Sequence, residues 1–366
     1  MASASAWFTG GQIVAKALDL VTLLALLYFL TPADFGLVAQ ALTVVVIVEA
    51  ITMVPIQHPI LRIPQPRRTV YDTAFTLTLM RALLIAGAVA LAADPIAAYF
   101  REPDLPPLLY ALALAPMVRG CLSPRLAEYD RRFDMRPYVV MEVAAKALAL
   151  AVAVSIAWST ASYWAIAAAT ITTPIVLSTL SFVFAPYRPR FSLADFESFR
   201  DIVGWNTAAQ AIETIAWQLD RLLLGRALPN DVFGRYAASR QVTEIPEQSV
   251  SRPVGRPMLA AFAQAKGSER LGELWSKFSN TMLFIVGPLL VGVAFLARHI
   301  EHALFGPGWD GADVFIFGLA LATLPALPWL PLRSLSVAVF QTRLHTLRVF
   351  VKLIISVPVL WLAIQW

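Results

Sequence analysis

Long apolar segments most constrain what this chain can fold into. Residues 162–185 run for 24 positions without an Asp, Glu, Lys or Arg, and about 20 apolar residues in a helix cross the hydrocarbon core of a bilayer. In lipid, every backbone N–H and C=O must be bonded within a helix or a closed barrel. These segments far exceed the roughly 10 residues of a barrel strand. The sequence therefore predicts an all-α, polytopic membrane protein.

The composition agrees with this prediction. Apolar residues make up 58% of the chain and charged residues 14%, compared with about 45–50% and about 25% in soluble domains. The single cysteine, Cys121, excludes a disulfide framework and is expected to pack as a small apolar residue. The leader MASASAW has no basic region and no cleavage pattern, so the first helix is expected to insert and remain in the membrane.

A scan for apolar spans predicts six transmembrane helices in the first half and five in the second, eleven in all. The predicted spans are 8–30, 35–54, 70–92, 105–122, 138–158, 162–185, 202–228, 232–256, 278–297, 312–340 and 344–365.

Basic residues concentrate on one side of these spans. The connections on that side hold 15 of them: Arg62, Arg67, Arg68, Arg125, Arg131, Arg132, Arg136, Arg188, Arg190, Arg200, Arg256, Lys266, Arg270, Arg343 and Arg348. The opposite connections hold Arg101, Arg226 and Arg298. The positive-inside rule then predicts a cytoplasmic N-terminus. Topology explains the net charge of +5, so no nucleic-acid partner is expected. Trp7, Trp158, Trp309 and Trp366 lie near predicted span ends, as an interfacial aromatic belt would place them.

An internal repeat divides the chain. The stretch LTPADFG at residues 30–36 recurs as LPNDVFG at residues 228–234, and matching Phe35 to Phe233 gives an offset of 233 − 35 = 198. Repeated halves of apolar helices are typical of transporters. We predict an N-terminal lobe at residues 1–190 with helices one to six, and a C-terminal lobe at residues 191–366 with helices seven to eleven.

A weaker match between VAAK at 143–146 and VFVK at 349–352 has an offset of 206. Carried to Trp366, this offset predicts that the second lobe lacks its sixth helix. Two explanations stay open: the chain is a fragment or short form, or the last helices are dispensable.

The repeated turn itself is predicted to be structural. Thr31 is placed to cap the second helix, Pro32 fits its first turn, and Asp34 stands where a capping-box acid would. Gly36 and Gly234 are expected to let helices approach closely.

Ionisable side chains within the spans are the candidate site residues, because a charge at the bilayer centre costs about 2.5–3.5 kcal/mol on the insertion scale. For substrate binding, the candidates are Arg81, Arg119, Lys146, Arg221, Arg240, Arg252 and Lys352. For ion coupling, they are Asp19, Glu49, Glu213 and Glu244.

Spacing distinguishes some of these candidates. Lys16 and Asp19 are three apart and Glu142 and Lys146 four apart, so each pair is predicted either to be a structural ion pair or to serve the site. Arg81 has no acid within one turn of its own helix, which favours an anionic substrate group or a cross-helix acid as its partner.

Arg221, Arg240 and Arg252 would suit a diphosphate, because guanidinium groups donate paired hydrogen bonds to phosphate oxygens. If Glu213 and Glu244 are desolvated, they would bind protons more readily.

Enzyme chemistry finds little support in the sequence. No Gly-rich phosphate loop and no metal-ligand spacing appear, and His299 and His302 have only Glu301 as a neighbouring ligand type. The sequence predicts no cofactor and no metal.

Five stretches, in order along the chain, resemble a known family. They are LTPADFGLVAQAL at 30–42, YDTAFTLTL at 71–79, LDRLLLGRALPNDVFGRYAASRQVTEIP at 219–246, VSRPVGRPMLAAFA at 250–263 and LFGPGWDGA at 304–312. They resemble the polysaccharide-export flippases of the multidrug/oligosaccharidyl-lipid/polysaccharide (MOP) exporter superfamily, of the lipopolysaccharide and colanic-acid type.

The resemblance implies two six-helix lobes around a central cavity that opens alternately to either face. It implies transport of a polyprenyl-diphosphate-linked oligosaccharide across the bacterial inner membrane, with membrane lipid and other polysaccharide-assembly proteins as partners. Three alternatives stay open: a drug or small-molecule exporter of the same superfamily, a membrane-embedded polysaccharide polymerase or ligase, and a non-transporting truncated form.

Overall fold

The computed structural model describes residues 2–52, 60–61, 63, 65–132, 134–200 and 205–339, together with 347, 349–351, 354 and 358. These residues form helices and connections, and no β-strand occurs among them. The all-α prediction is therefore confirmed. In chain order the helices are α1 Ala2–Phe29, α2 Pro32–Ile51, α3 Arg68–Phe100, α4 Leu105–Leu112, α5 Leu114–Arg119, α6 Ala127–Arg131, α7 Arg136–Thr160, α8 Trp164–Phe184, α9 Glu197–Arg200, α10 Trp205–Ala227, α11 Asn230–Gln264, α12 Arg270–Phe295, α13 Ala297–Leu304, α14 Ala312–Thr323 and α15 Leu332–Ala338.

Seven helical spans among the described residues are long and apolar enough to cross a membrane. The count becomes eight if the pair Leu105–Arg119 and Pro124–Arg131, bent by 51°, is one broken span. The prediction of eleven spans is not confirmed. Two of the predicted spans, 202–228 and 232–256, correspond to the more polar helices α10 and α11, and the last, 344–365, lies mostly outside the described residues.

Contacts divide the chain into two compact units. One contains Met1–Leu30 and Gln40–Thr214, and the other contains Thr31–Ala39 and Ile215–Trp366. The start of α2 is thus grouped with the C-terminal part of the chain. The predicted lobe boundary at residue 190 stays a prediction.

The repeated turns occupy equivalent positions in the structure. Helix α2 begins at Pro32 and α11 at Asn230, which are separated by the same 198 positions as Phe35 and Phe233. In both turns the backbone N–H of the phenylalanine donates to the carbonyl four residues earlier, at 3.3 Å in the first copy and 2.9 Å in the second. The repeat detected in the sequence is therefore also a repeat of local structure.

The two turns meet through their glycines within the C-terminal unit. A Cβ added at Gly36 would lie 2.1 Å from the carbonyl oxygen of Asn230, and one added at Gly234 would lie 1.7 Å from the carbonyl oxygen of Pro32. Pro32 and Asn230 are themselves equivalent in the repeat. The two contacts are thus equivalent under the repeat, and only glycine fits at position 36 of α2 or position 234 of α11.

The predicted cap at the first turn is confirmed. The Asp34 carboxylate accepts from the Thr31 backbone N–H at 3.0 Å and from the Thr31 hydroxyl at 2.5 Å. The Asp34 N–H in turn donates to the Thr31 hydroxyl oxygen at 3.3 Å. The second turn reaches the same shape with Pro229 at the cap position and no side-chain cap bond.

Close packing in the N-terminal unit follows a stripe of alanines on α7. Ala145, Ala149, Ala153 and Ala157 recur every four residues and are all buried. Small side chains at this spacing let neighbouring backbones approach, which is the usual basis of helix association in lipid.

The stretch YDTAFTLTL on α3 holds the connection after α8 by hydrogen bonds. Thr76 and Thr73 accept backbone N–H groups of Ser192 and Asp195 at 3.0 and 3.3 Å. The hydroxyl of Tyr187 donates to the buried carboxylate of Asp72. Burial, together with this hydrogen bond, raises the pKa of Tyr187.

The interfacial tryptophan prediction is wrong for Trp309 and stays a prediction for Trp158. Trp158, near the end of α7, is 77% exposed, as a residue at the membrane surface would be. Trp309 is 1% exposed, because it packs edge-on against Phe35 at 5.1 Å and Phe305 at 5.3 Å. Trp309 is therefore a core residue beside the repeated turn. The side chain of Trp7, and Trp366, lie outside the described parts of the chain.

Candidate substrate and ion sites

Arg240 is the centre of a charged cluster on α10 and α11. Its guanidinium pairs with the Asp220 carboxylate, donates from Nε to Glu244 Oε1 at 2.8 Å and donates from Nη1 to the Tyr236 hydroxyl at 3.2 Å. The Tyr236 hydroxyl also donates to Asp220. We call these four residues the Arg240 cluster.

The helix period assembles the Arg240 cluster. Tyr236, Arg240 and Glu244 are spaced by four on α11 and share one face. The short connection at residues 228–229 makes α10 and α11 neighbours, which brings Asp220 to this face. The side chains are largely withdrawn from solvent, with 12% of Arg240, 22% of Asp220 and 18% of Glu244 exposed.

The charge of the cluster bears on its chemistry. Two carboxylates around one guanidinium, all ionised, carry one net negative charge. A phosphate at Arg240 would be repelled by the two carboxylates that already pair with it, so the cluster fits a proton or a cation better than an anion. The predicted roles of Arg240 in substrate binding and of Glu244 in ion coupling stay predictions.

Arg221 offers a better-placed donor for an anion. Its Nη1 donates to Gln218 Oε1 at a long 3.4 Å. Its Nε is buried and has no hydrogen-bond partner in the described part of the chain. A buried guanidinium N–H without a partner is costly, and a phosphate or hydroxyl oxygen of a ligand would satisfy it.

In the N-terminal unit, Asp19 and Lys146 are paired with each other. The Lys146 ammonium contacts the Asp19 carboxylate across α1 and α7, and Lys16 lies 3.5 Å from the same carboxylate. The predicted pairing of Lys16 with Asp19 is confirmed. Glu142, predicted as a partner of Lys146, accepts instead from Gln12 Nε2 at 2.7 Å.

Arg81 and Arg119 both converge on the C-terminal end of α2. Arg81 donates from Nε to the carbonyl of Thr52 at 2.6 Å and from Nη2 to the carbonyl of Glu49 at 2.9 Å. Arg119 binds the Glu49 carboxylate at 2.9 and 3.0 Å. The last carbonyls of a helix attract cations, so Arg81 has a structural role here, and its predicted role in substrate binding stays a prediction.

Glu213, Arg252 and Lys352 are the remaining candidates, and their predicted roles stay predictions. Glu213 is half-buried on α10, one turn before Trp217. The Arg252 side chain and Lys352 lie outside the described parts of the chain.

No group of three or more His, Cys, Asp or Glu side chains with metal-site geometry occurs among the described residues. His299 and His302 are exposed. Glu301, between them, is buried, and its two carboxylate oxygens accept the backbone N–H groups of Gly311 at 3.1 Å and Asp313 at 2.8 Å. Its role is to cap the start of α14.

The sequence-based candidates omitted Asp220 and two aromatic residues: Tyr236 of the Arg240 cluster, and Trp217, whose ring centroid lies 5.0 Å from the Arg240 guanidinium carbon. Tyr236 precedes Arg240 by four residues, and Trp217 precedes Asp220 by three. Both spacings place the aromatic ring on the charged face of its helix. A search for polar neighbours at helical spacing around each buried charge would have found them.

Known proteins that match the chain agree with this architecture. The family described as polysaccharide biosynthesis protein matches residues 25–313. The chain belongs to this family. The motif-based resemblance is therefore confirmed.

Two known proteins are similar to most of the chain. Lipopolysaccharide biosynthesis protein WzxC of Escherichia coli (strain K12) is 24% identical over 317 residues, 84% of this chain and 64% of that protein. Succinoglycan biosynthesis transport protein ExoT of Rhizobium meliloti (strain 1021) is 23% identical over 320 residues, 86% of this chain and 65% of that protein. The chain thus spans less than two thirds of the length of both relatives.

A solved structure shows the same fold. It is described as the inward-facing conformation of a multidrug resistance MATE family transporter of the MOP superfamily, and it matches with a TM-score of 0.68 and 11% identity over 93% of this chain and 83% of that chain. The chain therefore shares the all-α fold of that transporter, and its apolar helices make it a multi-pass membrane protein.

Proposed function

We propose that this chain forms a flippase that moves a polyprenyl-diphosphate-linked oligosaccharide from the cytoplasmic to the periplasmic leaflet of a bacterial inner membrane, for surface polysaccharide assembly. The observation that carries the proposal is the family match over residues 25–313 on a chain with a MOP-transporter fold. Other proteins of the assembly machinery would supply and receive the glycan.

The charged side chains suggest how the substrate is held. The buried Nε of Arg221 has no hydrogen-bond partner among the described residues, and guanidinium groups bind phosphate with directed hydrogen bonds. Arg221 would bind the diphosphate or a sugar oxygen next to it, while the lipid tail stays in the bilayer. Transport would proceed by alternating access of the two repeated lobes, at residues 1–190 and 191–366.

The Arg240 cluster is the candidate for ion coupling. Protonation of Asp220 or Glu244 would release one carboxylate from Arg240, and the change in pairing would link the proton to the arrangement of α10 and α11. Transport in vesicles with and without a pH gradient tests this link. A rate that is indifferent to the gradient would remove ion coupling from the proposal.

Orientation follows from the basic connections. The N-terminus and the segments with Arg125, Arg131 and Arg188 would be cytoplasmic. Labelling single cysteines introduced in these segments of a Cys121→Ala chain, in intact and opened cells, measures their side. Labelling of Arg188→Cys in intact cells would reverse the assignment.

The function is tested by deletion and complementation. We expect the deletion strain to accumulate lipid-linked oligosaccharide in the cytoplasmic leaflet, and the gene to restore surface polysaccharide. A normal leaflet distribution in the deletion strain would refute flipping, and restored efflux of drugs without polysaccharide would favour the drug exporter.

A matched pair of variants on α10 tests the site. Arg221→Gln should lower transport about tenfold at unchanged protein level, the size expected for one lost charge-assisted hydrogen bond. Arg226→Gln, at the exposed end of the same helix, should leave transport unchanged. Equal effects of the two would remove Arg221 from the site.

A further inference from the structure

Trp217 is unusually placed for an exposed tryptophan. Its side chain is 48% exposed, yet it lies in the middle of α10, about 15 Å from the Ala227 end at 1.5 Å per residue. Trp158 and Trp164, also exposed, lie at helix ends, where interfacial tryptophans anchor a span. The interfacial explanation therefore does not account for Trp217.

The face of α10 that carries Trp217 is polar. Asp220 and Arg221 follow it by three and four residues, and Glu213 precedes it by four, so all four share one side of the helix. The proposed function places α10 in the membrane, where charged side chains face protein or water rather than lipid. The exposed part of the Trp217 ring therefore faces a polar space.

The ring is held in a fixed orientation. The Arg240 guanidinium carbon lies 5.0 Å from the ring centroid, and Arg240 Nη2 donates to the Trp217 carbonyl at 3.4 Å. Asp220 and Glu244 hold that guanidinium in place. Because a cation covers one ring face and about half of the residue is exposed, the opposite face is the part of the ring left for a ligand.

An open aromatic face beside charged hydrogen-bonding groups is the chemistry that recognises a carbohydrate. The C–H groups of a pyranose ring pack on an aromatic face, and its hydroxyls bond to neighbouring carboxylates and guanidinium groups. We propose that Trp217 is a stacking platform for one sugar ring of the translocated glycan, next to the Arg221 donor. This inference rests on the proposed function and adds to it the part of the site that binds the sugar.

The first test uses the unaltered protein in nanodiscs. The probes are lipid-linked oligosaccharide extracted from the source bacterium and the bare polyprenyl diphosphate. Tryptophan oxidation by N-bromosuccinimide is followed peptide by peptide by mass spectrometry. We expect the glycosylated probe to protect Trp217 and the bare diphosphate to leave it reactive, with Trp158 equally reactive throughout. Equal protection of Trp217 by both probes, or by neither, would overturn the inference.

The second test uses variants and binding constants for the same two probes. Trp217→Leu should lower affinity for the glycosylated probe about 3- to 10-fold, the size of one ring-stacking contact, without changing affinity for the bare diphosphate. Trp217→Phe should recover part of the loss, and Trp158→Leu should match the unaltered protein. Equal loss for both probes would make Trp217 merely structural.

These outcomes are separable from failure of the flippase proposal. Both tests measure binding and need no transport. Sugar-dependent protection of Trp217 without leaflet transfer would refute the flippase proposal and support the sugar site. Leaflet transfer without sugar-dependent protection of Trp217 would refute the sugar site and keep the flippase proposal. If neither probe binds, both the sugar site and the flippase proposal are refuted.

Discussion

Replacing Gly234 with alanine tests the close approach of the two repeated turns. The added Cβ would lie 1.7 Å from the Pro32 carbonyl oxygen, 2.6 Å from its carbon and 2.9 Å from the Gly36 nitrogen. All three are backbone atoms, so no side chain can rotate away. The two helix starts must separate by roughly 1.5 Å to restore ordinary van der Waals contact.

The cost follows from two opposing terms. Overpacking typically costs about 1–3 kcal/mol, and a backbone obstacle places this site at the upper end. Alanine regains about 1 kcal/mol over glycine in a helix interior. The net destabilisation is about 2 kcal/mol, which should lower the apparent melting temperature by several degrees in intrinsic tryptophan fluorescence. Trp309, packed on Phe35 in the same region, is one of the ten tryptophans that contribute to that signal.

Gly255, on the same helix α11, provides the matched control. A Cβ there would have nothing within 4 Å, so Gly255→Ala should be neutral or stabilise the protein by up to about 1 kcal/mol. Gly36→Ala should behave like Gly234→Ala, and the double variant should lose less than the sum, because one separation relieves both contacts. A Gly234→Ala protein as stable as Gly255→Ala would refute the close packing of the two turns.

Three further substitutions test single contacts by apparent melting temperature. Asp34→Ala should cost about 1 kcal/mol, because it removes the capping-box carboxylate that accepts the Thr31 N–H. Asp231→Ala, in the copy without a side-chain cap, should cost less, and the opposite order would contradict the capping-box assignment. Glu301→Ala should cost about 1–3 kcal/mol, because it leaves the N–H groups of Gly311 and Asp313 without their acceptor. Glu273→Ala, at an exposed position, should leave the melting temperature unchanged. Similar melting temperatures for the two variants would exclude the capping role of Glu301. Tyr187 has a raised pKa in the folded protein, so its contribution is complete below its ordinary value of 10.0 and is lost as the pH rises through the folded value. Melting temperatures measured from pH 9 upward should therefore fall more steeply for the unaltered protein than for Tyr187→Phe, and parallel curves would contradict this.

Local features of the fold could be predicted from the sequence because they depend on neighbours along the chain. Apolar length gave the first six helical segments, and the Thr31 and Asp34 pattern gave the cap, since both act within one helix. The Lys16 and Asp19 pair is also local. The repeat offset correctly equated Pro32 with Asn230, because each residue begins its helix in the same way.

Partners across helices were beyond the same reasoning. Nothing in the sequence indicates that Arg81 donates to the carbonyl groups at the end of α2. Nothing indicates that Glu142 accepts a hydrogen bond from Gln12 on α1. The helix period restricts each residue to a face, but it leaves open which neighbouring helix covers that face. Trp309 shows the same limit: its place near a span end predicted exposure, and packing against Phe35 decided burial.

By itself, then, the sequence determined an all-α membrane protein, because a lipid bilayer requires helices of a given length. It also determined the duplicated turn, because the two copies keep similar residues. Tertiary structure alone decided that Gly36 and Gly234 face each other's helix starts, that Arg240 is held by two carboxylates, and that Trp217 keeps an open face beside them. Those arrangements arise from contacts between segments far apart in the chain, whose geometry depends on how whole helices pack.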